Sequence, residues 1–294
     1  MKRINRVGLS LTMIGLLICS AIHAAEPYVS LGFVTLPSDI QIGPMSAVAV
    51  EGTDQIYVLH RGEPPLLLLD GQHKLISGRG QGDFKTPHGL KVDPKGNVWV
   101  TDNARHVVYR MSRDGQITLT LGTLDKGGAG TTQLRSPDDL VFDSKGLIYV
   151  ADAGNKRIAK FDADGKYLAE WGKGGKEPGQ FSTAHGLAID TKDRIYVADR
   201  GNKRVQVFNT DGQFQAAWTE AGQPFGLLVT PEGLIVSDGD AHRLTLLDFE
   251  GKLIGAWGSP ETLKLPHLMA LGHDGTVYVT EVDGKRVQMF KRVK

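Results

Sequence analysis

The sequence predicts an all-β protein, a six-bladed β-propeller of four-stranded blades closed by an N-terminal strand. Three observations carry that prediction. A strand–turn–strand unit, clearest in TPHGLKVDPKGNVWVTD from Thr86 to Asp102, recurs along the chain. Six copies follow one another at intervals of 40 to 50 residues. The last copy stops after three strands, at Met289-Phe290-Lys291, while Tyr28 to Leu36, ahead of the first copy, reads as a strand with no hairpin partner of its own.

Each element of the unit has a local cause. Leu90 to Asp93 is a short buried strand, Pro94-Lys95-Gly96-Asn97 is a turn cluster, and Val98 to Thr101 supplies the aromatic and β-branched residues of a second strand. A polar loop leads to an alternating strand from Val107 to Met111, then an Asp114-Gly115 turn and a fourth strand from Gln116 to Leu121. One such unit cannot bury its own apolar face, whereas a ring of six buries every face. The alternatives are a β-sandwich or an open solenoid, and a solenoid needs capping repeats that the sequence does not display. The N-terminal strand is expected to complete the sixth blade and remove the open sheet edges.

The first 25 residues are a separate segment. Lys2, Arg3 and Arg6 precede an apolar run from Val7 to Ile18 and then Ser20-Ala21-Ile22-His23-Ala24-Ala25, the pattern of a secretory signal peptide cleaved after Ala24 or Ala25. The apolar run is too short for a membrane anchor spanning about 30 Å of hydrocarbon. Ile18, directly before Cys19, is too bulky for a lipoprotein signal. Residues 26–294 are then one propeller domain, exported to the periplasm or the medium and expected as a monomer. Cleavage removes the only cysteine, so stability has to come from the core. It also leaves 31 Lys and Arg against 33 Asp and Glu, a net charge of −2, which argues against a nucleic-acid partner.

The repeat can be aligned at two places. The residue just before the inner strand runs Met45, His88, Asp138, His185, Phe225, His267; the residue closing the second strand runs His60, Asp102, Asp152, Asp199, Asp238, Glu281. In a propeller both sets share one rim. His88, His185 and His267 then fall on blades 2, 4 and 6 and point at one another across the axis. Any one of them could be a satisfied core histidine, but three in one repeated slot form a three-histidine metal site. Three neutral imidazoles with an open coordination position suit catalytic zinc, which acidifies a water or polarises a substrate oxygen, although imidazole also suits other divalent ions. After the closing residues come Arg61 and Arg200, on opposite blades, suited to clamp a carboxylate, or else simply exposed or ion-paired charge. Arg157, Arg204, Arg243 and Arg286, with His106 in the matching place of blade 2, recur too often to be anything but architectural. His60, His73, His242 and His273 are expected as surface or supporting groups. The glycine-rich stretches 122–132 and 172–179 match no phosphate loop and read as connectors, with Leu124 to Leu134 a candidate lip over the site.

These residues carry a resemblance. YVADAGNKRIAKFDADG and YVADRGNKRVQVFNTDG resemble NHL repeats, and the order HRG, PHGL…NVWVTD, AHGL…YVADRGNKRVQ, LPH is similar to peptidyl-α-hydroxyglycine α-amidating lyase. The resemblance implies a six-bladed propeller that cleaves a peptidyl-α-hydroxyglycine into a peptide amide and glyoxylate. It implies zinc on His88, His185 and His267, with Arg61 and Arg200 in the site. Two departures stand beside it. The family's Asp-Gly-Tyr-x-Asn, whose tyrosine serves proton transfer, is here Asp152-Ala153-Gly154-Asn155, and the Asp that contributes to a structural calcium after the third histidine is here Leu268. The expectation is therefore a zinc-dependent lyase-like enzyme acting on a carboxylate-bearing peptide or small molecule. The alternative is a non-catalytic propeller that binds peptide or protein in the cell envelope.

Overall fold

The computed structural model describes residues 26–53 and 55–293; the segment read as a signal peptide lies outside them. Six four-stranded antiparallel sheets follow one another in chain order. The innermost strands are Met45–Glu51, Pro87–Val92, Pro137–Phe142, Ala184–Ile189, Pro224–Thr230 and Pro266–Leu271. The first five sheets are consecutive meanders. The sixth combines three C-terminal strands with the N-terminal strand Tyr28–Phe33, which runs antiparallel to Arg286–Arg292 with Tyr28 opposite Arg292 and Phe33 opposite Gln288. The expected six-bladed propeller with an N-terminal closing strand is the fold of the chain.

The second strand of each blade is apolar on both faces because neighbouring blades cover both. Val98–Asp102, Ile148–Asp152 and Ile195–Asp199 are buried throughout. Between blades 1 and 2, Tyr57, Leu59, Leu66 and Leu68 pack against Leu90, Val98, Val100 and Tyr109; between blades 3 and 4, Tyr149 and Ile158 pack against Phe181, Leu187 and Phe208. At about 1.5–3 kcal/mol for each large side chain fully buried, these seams hold the ring without any cross-link. The closing strand joins them by Tyr28, stacked on Trp257 of blade 5 at 4.9 Å.

The closing acids are the rivets of each blade's mouth. Asp102 accepts hydrogen bonds from the backbone N–H groups of Lys85, Thr86, Ala104 and Arg105. Asp152, Asp199 and Glu281 take similar backbone donors and pair with Arg157 at 2.7 Å, Arg204 at 2.9 Å and Arg286 at 2.9 Å. That accounts for the repeated arginines, except that Arg243 keeps a buried Nε with no partner among the described residues.

Strand register corrects two alignments. Met45 pairs with His60 as Pro87 pairs with Asp102 and Pro266 with Glu281. The blade 1 equivalent of His88 is therefore Ser46, and Met45 is a core residue. A slip of one residue exchanges the two faces of a strand, and blade 1 lacks the proline that marks this place in blades 2, 3, 5 and 6. Likewise Asp102 pairs with Val107, so His106 is not in the arginine position. It shares a left-handed turn with Lys156, Lys203, His242 and Lys285, at φ between 49° and 60°.

Candidate metal centre

The six slots around the axis at the mouth hold Ser46, His88, Asp138, His185, Phe225 and His267, all buried. The imidazoles of His88, His185 and His267 form a nearly equilateral triangle with centroid separations of 4.8, 4.8 and 5.1 Å, each pair edge-to-face. One ring nitrogen from each lies within 4.8 Å of the others. Residues up to 179 positions apart are brought to one point because each occupies the same place in its blade.

One rule orients all three rings. Nδ1 of each histidine donates to the backbone carbonyl of the slot residue in the next blade: His88 to Asp138 at 2.8 Å, His185 to Phe225 at 2.8 Å and His267 to Ser46 at 2.6 Å. A carbonyl can only accept, so Nδ1 carries the proton and Nε2 keeps its lone pair for the axis. Glycine after two of the histidines makes this possible. A Cβ on Gly89 would stand 2.7 Å from the Asp138 oxygen and one on Gly186 2.5 Å from the Phe225 oxygen. The His-Gly dipeptide is thus a device for letting the next blade's carbonyl approach.

Burial holds all three rings neutral. His88 and His185 are pushed well below the usual histidine range by desolvation and then by a neighbouring triad imidazole. His267 is pushed down to about 4 by burial, with Arg61 and Arg200 adding to it. Three neutral, acceptor-ready nitrogens converging in one buried place are the donor set a metal ion needs.

The surrounding groups are charged. Arg61 and Arg200 both bear electrostatically on His88 and on Asp138, which puts the two guanidiniums at the same mouth. Arg200 lies over the Phe225 ring at 4.8 Å, and that ring in turn packs against His185 and His267. Unlike Arg157, Arg204 and Arg286, neither is held by a carboxylate among the described residues. Asp138 is raised to about 7 by burial, against the opposing pull of the Asn103 hydrogen bond and Arg200. Asn103 donates to its Oδ1 at 2.7 Å.

Other expectations fall out differently. Ala153–Asn155 forms a short 3₁₀ turn equivalent to Arg200–Asn202, and no phenol stands there. The blade 3 and 4 tyrosine hydroxyls, Tyr149 and Tyr196, donate to Asp143 and Asp190 at the far end of the blades. Leu268 is buried and apolar, so the third-histidine blade offers no acid there; Asp139, the one carboxylate in that row, takes Lys91 and the Leu187 N–H on Oδ2, and its buried Oδ1 has no partner among the described residues. The 124–134 connector is docked by Lys85 and Arg105 on Asp125 and by Asn155 on the Gly128 carbonyl. His60 is no surface group: it is buried, and its Nδ1 accepts from the N–H groups of Gly43 and Gly62, copying a closing acid. His73 takes the Thr35 N–H, His242 joins Leu263 and Leu265, and His273 is exposed. Asp138 and Phe225 were legible only as members of the repeated slot, since neither residue type signals a ligand by itself.

Fold and mouth together define a six-bladed β-propeller with a three-histidine cluster at its mouth, one that carries NHL repeats and resembles the α-amidating lyases. Residues 84–108, 134–161 and 181–208 match the NHL repeat. The chain is 28% identical over 181 residues to mouse peptidyl-glycine alpha-amidating monooxygenase, covering 51% of this chain and 18% of that protein. It is 33% identical over 97 residues to Drosophila melanogaster peptidyl-alpha-hydroxyglycine alpha-amidating lyase 1, covering 32% of this chain and 18% of that one. The chain thus spans less than a fifth of either relative's length. Among solved structures, a gluconolactonase from Xanthomonas campestris superposes with a TM-score of 0.67 over 90% of this chain and 89% of its own, at 17% identity. Likeness at that level shows the fold alone.

Proposed function

We propose that the protein is an exported zinc-dependent lyase-like enzyme that cleaves the carbon–nitrogen bond of a peptidyl-α-hydroxyglycine or a related small α-hydroxy substrate bearing a carboxylate. The observation that carries this reading is the convergence of three Nδ1-protonated imidazoles beneath two arginines free of carboxylate partners among the described residues. Zinc held by His88, His185 and His267 would supply polarisation of a substrate oxygen. Arg61 and Arg200, reaching in from opposite blades, hold the carboxylate and so fix the carbon that carries the hydroxyl. Phe225 backs Arg200 and keeps water from that side of the site. In the reaction the hydroxyl loses its proton, its C–O bond becomes C=O, the C–N bond breaks and the departing nitrogen takes up a proton, giving an amide and glyoxylate. Net charge near neutrality fits a small acidic substrate and no nucleic acid. We carry forward export to the periplasm or medium, and a monomeric state, as part of the same reading.

A second reading has its own observation. The 3₁₀ turn at Ala153–Asn155 offers no proton-transfer group, which favours a non-catalytic propeller that binds peptide or protein at this mouth. Metal analysis of the purified protein and a glyoxylate-release assay on an α-hydroxyglycine peptide separate the two. Zinc with turnover supports the lyase; zinc or no zinc without turnover, but with peptide binding, supports the binding module.

A further inference from the structure

The ring of slots contains one carboxylate, Asp138, to which the metal and the two arginines leave no assigned role. Asp138 occupies in blade 3 the place that the histidines occupy in blades 2, 4 and 6, diametrically across from His267. It is buried but not sealed, at 8% exposure. Its Oδ1 is fixed by Asn103 Nδ2 at 2.7 Å, and the same amide nitrogen also donates to the Pro137 carbonyl at 2.8 Å, so the Asn103 side chain is itself pinned. Its backbone is pinned as well, since the Asp138 carbonyl takes Thr101 Oγ at 2.9 Å in addition to His88 Nδ1. Side chain and main chain are therefore held in one pose, while no protein donor among the described residues reaches Oδ2.

The position of the arginines sharpens the point. Arg61 and Arg200 both act on Asp138 through their charge, and among the described residues no ion pair joins either of them to it. Two cations and an acid set around a common space, without touching, suit a ligand that separates them. The anionic end of such a ligand belongs with the guanidiniums. A second anionic group beside Asp138 is repelled, whereas a hydroxyl or N–H there finds an acceptor already positioned.

We propose that Asp138 is a specificity residue of this site: its Oδ2 accepts a hydrogen bond from a hydroxyl or N–H on the carbon next to the ligand's carboxylate, with Asn103 as its positioning residue. The proposal rests on the reading of the mouth as a carboxylate site and adds the requirement for a donor. It selects α-hydroxy or α-amido acids over plain carboxylates of the same size.

Acetate and glycolate differ by that one hydroxyl, and calorimetric titration of each against wild type, Asp138→Ala and Asp138→Ser tests the idea. Serine fills the same slot in blade 1 as Ser46, which makes Asp138→Ser the safer variant for folding. With the titrations run at about pH 8.5, where the Asp138 carboxyl is ionised, a hydrogen bond to the charged acceptor corresponds to roughly a 10- to 100-fold preference. Wild type is expected to prefer glycolate by about that factor, and both variants to bring the ratio close to one at unchanged zinc content and undiminished acetate affinity. A glycolate preference that persists in both variants and disappears on chelation overturns the proposal in favour of the metal as the discriminating group. Failure of wild type to bind either acid overturns the carboxylate reading and this proposal with it. Asn103→Ala is expected to narrow the ratio less than Asp138→Ala with acetate affinity undiminished; an unchanged ratio, or a loss of acetate affinity in that variant, argues against a positioning role.

Discussion

His88 donates its Nδ1 proton to the carbonyl oxygen of Asp138 at 2.8 Å, and that bond decides which nitrogen of the ring faces the axis. The acceptor lies in the next blade, 50 residues along the chain. The geometry of the candidate metal centre is therefore tied to how closely adjacent blades approach, and ring closure and the orientation of the triad are one structural problem.

Gly186 keeps that approach open, since a Cβ there would stand 2.5 Å from the Phe225 oxygen that receives His185. Gly186→Ala is expected to weaken zinc binding by about 10- to 100-fold, the usual cost of disturbing a partner behind a ligand. Competition titration with a zinc chelator measures it; an unchanged affinity would show that the blades can part without tilting the imidazole.

The protein should hold about one zinc per chain. His88→Ala, His185→Ala and His267→Ala are each expected to abolish tight binding with the far-ultraviolet circular dichroism of the propeller preserved, because the mouth contributes little to the interblade seams. Elemental analysis of purified His185→Ala decides the matter, and full occupancy in that variant contradicts the assignment.

Replacing Arg61 or Arg200 with Lys keeps the charge and loses the planar fork. Loss of one charge-assisted hydrogen bond costs roughly 1.5–3 kcal/mol, or about 10- to 100-fold in Kd for glyoxylate. Arg200→Lys should show the larger effect, as it also gives up the 4.8 Å stacking on Phe225. Equal affinities in wild type and both variants would make the two arginines structural.

The buried triad also sets a pH dependence. Its imidazoles titrate below their unfolded value of 6.5, His267 at about 4, so the unfolded chain takes up protons first on acidification. The stability they contribute is complete above about pH 6.5 and is lost as pH falls toward about 4. Asp138, raised to about 7, and Asp139 and Asp152, also raised by burial, act in the opposite sense, so the triad's share is the difference between wild type and a variant lacking one of its imidazoles. Metal-free protein should lose thermal stability across this window, and zinc should stay bound to lower pH than at exposed histidines. Parallel melts of wild type and a His267→Ala variant from pH 7 to pH 4 check the sign.

Asp152-Ala153-Gly154-Asn155 is one residue too short for a phenol. A side chain simply placed at Gly154 meets the Arg135 carbonyl at 2.6 Å. Rebuilding the stretch as Asp-Gly-Tyr-Gly-Asn is expected to raise glyoxylate release by about 10² to 10⁴ if the chain is a lyase lacking its proton-transfer group. A wild-type rate already equal to the rebuilt variant's would mean that another group does this work.

The triad was legible because a repeat converts sequence spacing into angular spacing: equal places in alternate blades must converge. The same logic failed at blade 1, where Met45 stood in for Ser46, because no proline marks the start of that strand and only the pairing with His60 fixes the register. His106 was misplaced for a related reason, a left-handed turn residue being indistinguishable from a strand's first residue without the backbone angle. The role of His60 depends on two glycine N–H groups that a linear sequence cannot bring together. Asp138 was in view as a slot member, but its fixed carboxylate is a property of Asn103, 35 residues away.

Tyr28 and Arg292, in the first and last strands of the propeller, are direct neighbours in one sheet. Which blade is called first is then an accident of where the polypeptide was cut. A short linker joining the two ends, with new termini opened in the connector between blades 3 and 4, would carry the same mouth in a circularly permuted order. In such a molecule the seam now held by hydrogen bonds and the Tyr28–Trp257 stack would be covalent, and the weakest point of the ring would move to a place of the experimenter's choosing.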